Sequence, residues 1–133
     1  MEVSRADDSS SLRPIGPRHV AAFPGTDPEA TTSVQAARID EVVESVDLPC
    51  LMKIDVQGCE LEVLQGAEQL LPKVEHLVVE CSFTELYLGQ ALAGEVVAYL
   101  HERGYRLTGI YDLKRDRLGF CLQADFLFQR HLG

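Results

Sequence analysis

Two short apolar runs in this sequence carry ionisable side chains where chemistry would use them. The first, Leu51-Met52-Lys53-Ile54-Asp55-Val56, is stopped by Gly58, and the second, Leu77-Val78-Val79-Glu80-Cys81, runs into Ser82. Each is short enough for a strand and too continuously apolar to keep a solvent face, which marks a buried parallel strand. Side chains alternate along a strand, so Lys53 and Asp55 share one face while Met52, Ile54 and Val56 share the other. A lone buried ammonium is costly, so Lys53 is expected to find a carboxylate, either Asp55 or Glu80 on the neighbouring strand.

Ligands of open α/β sheets bind at the carboxyl ends of the strands, which draws attention to Asp55, Gln57 and Gly58 on one loop and to Glu80 and Ser82 on the other. The competing role for Lys53, Asp55 and Glu80 is a structural ion pair that fixes strand register. Gly58 makes a tight turn where backbone N–H groups become available, and Glu60 falls in the first turn of the next helix, where an acid also complements the dipole.

Other chemistries find less support. Cys50, Cys59, Cys81 and Cys121 form no CxxC pair and have no histidine at zinc-ligand spacing, so they read as small buried residues and no metal site is expected. His19, His76, His101 and His131 are scattered and read as surface or structural residues. The chain carries a net charge of −9, which argues against nucleic acid as a partner. Its one basic cluster, Lys114-Arg115-Asp116-Arg117, reads as a solvated turn. No apolar run approaches the ~20 residues of a membrane span and no signal-peptide core opens the chain, so a cytoplasmic protein that does not engage membranes is expected.

The elements that must position these residues follow from periodicity. Residues 1–33 are rich in Ser, Pro, Gly, Asp and Thr and read as an irregular arm. Helices are expected over 40–46, 60–71 and 94–103, with parallel strands over 51–55 and 77–81. Segments 106–112 and 120–128 read as an antiparallel hairpin, the second placing Phe120, Leu122, Ala124, Phe126 and Phe128 on one face. This alternation describes an α/β domain over 34–133, a mainly parallel sheet covered by helices on both faces.

Residues 51–67, LMKIDVQGCELEVLQGA, resemble the signature of FkbM-type methyltransferases, and Arg38-Ile39-Asp40-Glu41-Val42-Val43 precedes them as in that family. Val78-Val79-Glu80-Cys81-Ser82, Leu86-Tyr87-Leu88-Gly89-Gln90, His101-Glu102-Arg103-Gly104-Tyr105 and Gln123-Ala124-Asp125-Phe126-Leu127-Phe128 follow in the family's order, and Ser9-Ser10-Ser11-Leu12 is similar to its serine-rich segment. Cys59 stands where Ala or Tyr is more usual, and Leu88 where an acidic residue is.

The resemblance implies the C-terminal half of a Rossmann-like class I methyltransferase domain, with the last strand inserted antiparallel, so that 120–128 lies beside 77–81. It also implies O-methylation of a hydroxyl on a small molecule or sugar, with S-adenosylmethionine as donor. Asp55 would then be substrate orienter or base with Lys53 and Glu80 behind it. Asp55, Gln57 and Gly58 would border the cofactor, and Glu60 and Ser82 the substrate. The family places a first strand, its glycine-rich turn and an acid for the cofactor ribose ahead of the serine segment. Residues 1–33 contain no such turn, since Gly16 and Gly25 sit among prolines.

Weak cofactor binding by the chain alone, and self-association through the unpaired edge at 51–56, are therefore expected. Two other readings remain: a non-catalytic α/β interaction fragment, and a receiver-like domain with Asp55 as phospho-acceptor. The early acidic pair that a receiver uses for Mg²⁺ is absent.

Overall fold

A computed structural model describes residues 1–130 of the chain. The first part holds β1 (Glu2–Ser4), α1 (Pro17–Ala22) and β2 (Pro28–Thr31), with β1 and β2 paired antiparallel. Then come α2 (Ile39–Val42), β3 (Leu51–Ile54), α3 (Glu60–Gly66), β4 (His76–Ser82), α4 (Ala93–Glu102), β5 (Tyr105–Arg115) and β6 (Cys121–Arg130). His131 lies outside the described residues.

The main sheet has the order β3-β4-β6-β5. β3 and β4 run parallel, with Lys53 beside Val78, while β6 inserts antiparallel between β4 and β5 and sets Asp125 opposite Glu80. This is the expected placement of the last strand. Its alternation explains it: Leu122, Ala124, Phe126 and Phe128 are all buried, and only a strand covered on that face gains from such a row. Phe120, expected at the head of the row, precedes β6 and is exposed.

The core lies on one side of the sheet. Leu64 and Ala67 from α3 and its end, and Val96 and Leu100 of α4, pack with Ile54, Leu77, Val79, Cys81, Ala124, Phe126 and Phe128. The other face carries Lys53, Val78, Glu80, Gln123, Asp125 and Leu127, all half-buried or exposed. Helices on both faces were expected, and among the described residues they cover only one. A run such as Leu51–Val56 looks the same whether its second face is covered by protein or left open, so composition overstated the cover. Leu51 is 62% exposed, which makes β3 an edge strand rather than a buried one.

Helix lengths are corrected as well. α2 spans only Ile39–Val42, and α3 stops at Gly66, followed by turns and a 3-10 segment, Leu71–Lys73, before β4. The Asp40 carboxylate accepts the Gln69 and Leu70 N–H groups at 3.0 and 3.1 Å, anchoring the short α2 to that turn region. α4 matches its expected span; Glu95 reaches back to the Leu92 N–H at 2.8 Å and caps its start.

Residues 1–33 are less irregular than their composition implied. A second apolar cluster joins Ile15 to Leu86, Tyr87 and Leu122, with Val20, Ala22 and Phe23 against it, so α1 docks over the carboxyl end of the main sheet. Pro17 opens α1 at a position where a missing N–H is harmless. No helix among the described residues is long and apolar enough to cross a membrane.

Candidate active site

Beyond Ile54 the chain turns sharply, with Gln57 at φ 54° and Gly58 at φ 99°. Glycine is required at 58 on two counts: the left-handed backbone, and a Cβ that would stand 2.7 Å from Cβ of Tyr87. The turn projects Asp55 at the end of the open face, with its side chain 35% exposed. Lys53 Nζ lies 3.4 Å from Asp55 Oδ2, and Gln57 Nε2 donates to Asp55 Oδ1 at 2.9 Å.

Lys53 and Asp55 thus share a face as alternation required. Of the two carboxylates open to Lys53, Asp55 is the one that takes it. The Lys53 side chain is 57% exposed, since β3 is an edge, and it makes no ion pair with Glu80. Glu80 instead accepts a hydrogen bond from Gln123 Nε2 at 2.8 Å. Burial, and then the nearby charges of Asp55, Glu60 and Asp125, push its carboxyl up to about 8. Burial therefore favours the protonated form of Glu80 beside Asp55.

Glu60 is buried and accepts the Gly58 N–H at 3.0 Å. Burial pushes its carboxyl up, while backbone N–H groups on the turn oppose the shift. Ser82 is also buried, at the end of β4, and neither Glu60 nor Ser82 lines the two cavities at this end of the sheet. The smaller cavity, about 470 Å³, lies against Asp55, Val56 and Gln57 and is completed by Ser10, Leu12 and Val34. The larger, about 710 Å³, lies between α1, Phe83-Thr84 and the bend joining β5 to β6.

Sequence reasoning missed the group behind Gln57. The Tyr87 hydroxyl is buried 2.5 Å from Gln57 Oε1, 3.0 Å from His19 Nε2 and 3.4 Å from the Ser9 carbonyl. Thr26 gives its hydroxyl proton to the Phe23 carbonyl, so His19 Nδ1 donates to Thr26 Oγ1 at 2.9 Å and Nε2 is left as acceptor. Burial lowers the His19 pKa and favours this neutral form. The single phenolic proton of Tyr87 serves His19 or Gln57, and the amide of Gln57 passes the constraint on to Asp55. His19 and Tyr87 are 68 residues apart, and no local spacing could have joined them.

Parallel strands that bring ionisable side chains to their carboxyl ends, beside open cavities, make this an α/β protein with its candidate chemistry at one end of the sheet. A family model described as Methyltransferase FkbM domain matches residues 3–107, from β1 into β5. The chain belongs to that family of methyltransferase domains. No curated protein and no solved structure matches it.

The family's usual methyl donor is S-adenosylmethionine, and the residues present fit one end of it. Asp55, Glu80 and Asp125 gather on the open face, with the ammonium groups of Lys53 and Lys114 near them, which leaves an acidic end that a cationic sulfonium could approach. The Gly58 N–H is spent on Glu60 and the Gln57 side chain on Asp55 and Tyr87, so these groups are not free for the nucleoside end.

Proposed function

We propose that this chain forms the acceptor side of an S-adenosylmethionine-dependent O-methyltransferase, the second half of a Rossmann-like domain, acting on a hydroxyl of a small molecule or sugar. The observation that carries this reading is Asp55, held by Lys53 and Gln57 at the mouth of a cavity at the carboxyl end of β3, in a chain of the FkbM family. The antiparallel insertion of β6 between β4 and β5 supports the Rossmann-like assignment.

S-adenosylmethionine supplies an electrophilic methyl group when bound. The work left to this chain is to position an acceptor hydroxyl and to receive its proton. Asp55 is the base: its carboxylate is accessible from the cavity, and its two oxygens are oriented by different partners. Lys53 and Gln57 fix that carboxylate, and Tyr87 with His19 fixes Gln57. Glu80 in its protonated form spares Asp55 a second negative charge alongside it, which keeps the base available without crowding it with repulsion.

Labelled S-adenosylmethionine offered to the native gene product with a panel of sugars and small alcohols tests the reading. An alkali-stable methyl ether on an acceptor hydroxyl is expected. Label confined to nitrogen, sulfur or an alkali-labile carboxyl ester, or no transfer to any acceptor, overturns it. Asp55→Asn is expected to lower turnover by about 10²–10⁴-fold, the usual worth of a positioned base. Full turnover in that variant would leave Asp55 a structural residue.

A further inference from the structure

We infer that the larger cavity binds an acceptor bearing an oxyanion, carboxylate or phosphate, on an apolar body; this deepens the methyl-transfer reading above and rests on it. The cavity, about 710 Å³, is of the size that encloses small organic ligands. Its wall gathers Arg18, Arg115 and Arg117, in a chain whose net charge is −9. The one acid on that wall among the described residues, Asp116, directs Oδ1 to the N–H groups of Leu118 and Phe120, at 2.9 Å each, so it is engaged in shaping the bend.

None of the three guanidinium groups forms an ion pair among the described residues. Two of them are held by neutral groups: Arg18 Nη1 donates to Thr84 Oγ1 at 2.5 Å, and Arg115 Nη1 to the Gly119 carbonyl at 2.9 Å. Two forks are therefore steadied while most of their N–H groups stay free, a geometry suited to two-point binding of a carboxylate or phosphate. The same wall exposes Phe83, Leu118 and Phe120, the last 67% exposed, which supplies cover for an apolar body.

Position ties this cleft to the reaction. Phe83 follows the end of β4, and Cys121 lies two residues before Gln123, the residue that holds Glu80. Asp55 follows Ile54, which pairs with Val79, and so lies level with Glu80 and Asp125, four residues along from Cys121 and two strands across from β6, about 13 Å along the strands and about 10 Å across them. An acceptor on the order of 17 Å long, its anion among the arginines, thus brings its other end to the acidic cluster at Asp55. The bend that composition presented as a solvated turn becomes the part that selects the acceptor.

Equilibrium binding of three probes to the purified full chain tests this without a methyl donor: 1-naphthyl phosphate, 1-naphthoate and the neutral 1-naphthalenemethanol. Both anions are expected to bind at least about tenfold tighter than the alcohol, as charge-assisted hydrogen bonds imply. Arg115→Gln with Arg117→Gln should remove that preference. Lys114→Gln should leave it intact, because Lys114 is paired with Asp112 at 2.7 Å and lies off the cavity wall.

Equal binding of anions and alcohol, or an equal loss in the Lys114 variant, overturns the proposal. Circular dichroism melts identify any variant that fails to fold, and Arg18→Gln then serves as the second variant with the same expectation. Binding that survives when no methyl transfer is found would sink only the reading on which the acceptor role rests. Methyl transfer without anion preference would sink only the cleft.

Discussion

Glu80 and His19 sit close to the same loop and respond oppositely to pH. The Glu80 carboxyl is raised in the folded protein from an ordinary value of 4.5 to about 8, mainly by burial. Folding then favours its protonated form. The stabilisation is complete below pH 4.5 and is lost as pH rises through about 8. His19 is lowered by burial from 6.5, so its contribution is present above that value and fades as pH falls below it.

Melting temperature should therefore drop on the alkaline limb between about pH 6.5, where the opposing contribution of His19 ends, and about pH 8, and level off above it, on account of Glu80. Glu80→Gln keeps the shape and the Gln123 contact in a neutral group, and should flatten that limb in circular dichroism melts. A wild-type slope retained in the variant would assign the loss to another group. Tyr87→Phe should lower turnover by about tenfold, for loss of one orienting hydrogen bond on Gln57, and leave the alkaline limb unchanged. Steady-state kinetics separate this from a folding defect, since an effect on stability alone would disappear at low temperature.

Local periodicity served the elements better than it served their surroundings. The pairing of β6 with β4 was legible because a row of alternating apolar residues has one stable home, a covered sheet face. Lys53 and Asp55 fell together for the same period-two reason. Sequence left Asp55 and Glu80 both open as partners for Lys53, since it cannot tell which face of an apolar strand is covered, and the open face left Lys53 in water beside Asp55. α1 and the small β1-β2 sheet were hidden by prolines and serines, since their order comes from docking on Leu86 and Tyr87 rather than from propensity.

Two glycines separate these effects experimentally. Gly58→Ala combines φ 99° with a clash against Tyr87, and should cost about 1–3 kcal/mol. Gly94→Ala, in the first turn of α4 with nothing within 4 Å of a new Cβ, should be neutral or stabilise by up to about 1 kcal/mol. Urea unfolding measures both, and similar losses at the two positions would mean that the turn at 57–58 is not a fixed element.

At the scale of the molecule, the free edge of β3 and the open sheet face meet at one corner. Among the described residues β3 pairs only with β4, so its outer backbone N–H and C=O groups face away from the sheet. Leu51 is exposed beside them, and Val78 and Leu127 continue the uncovered face. An unpaired edge next to apolar surface favours pairing with a second strand, and β1 and β2 pair with each other instead of covering it. Purified chain should therefore self-associate in light scattering, and Leu51→Lys, a charge placed on the edge, should shift it toward monomer. The same chain should bind S-adenosylmethionine poorly, because the Gly58 N–H and the Gln57 side chain are spent on Glu60, Asp55 and Tyr87. Titration calorimetry measures that half of the expectation. Micromolar affinity in a monodisperse monomer would show that the loop at 57–58 rearranges to free those groups, and that the edge of β3 is covered in solution by another part of the chain.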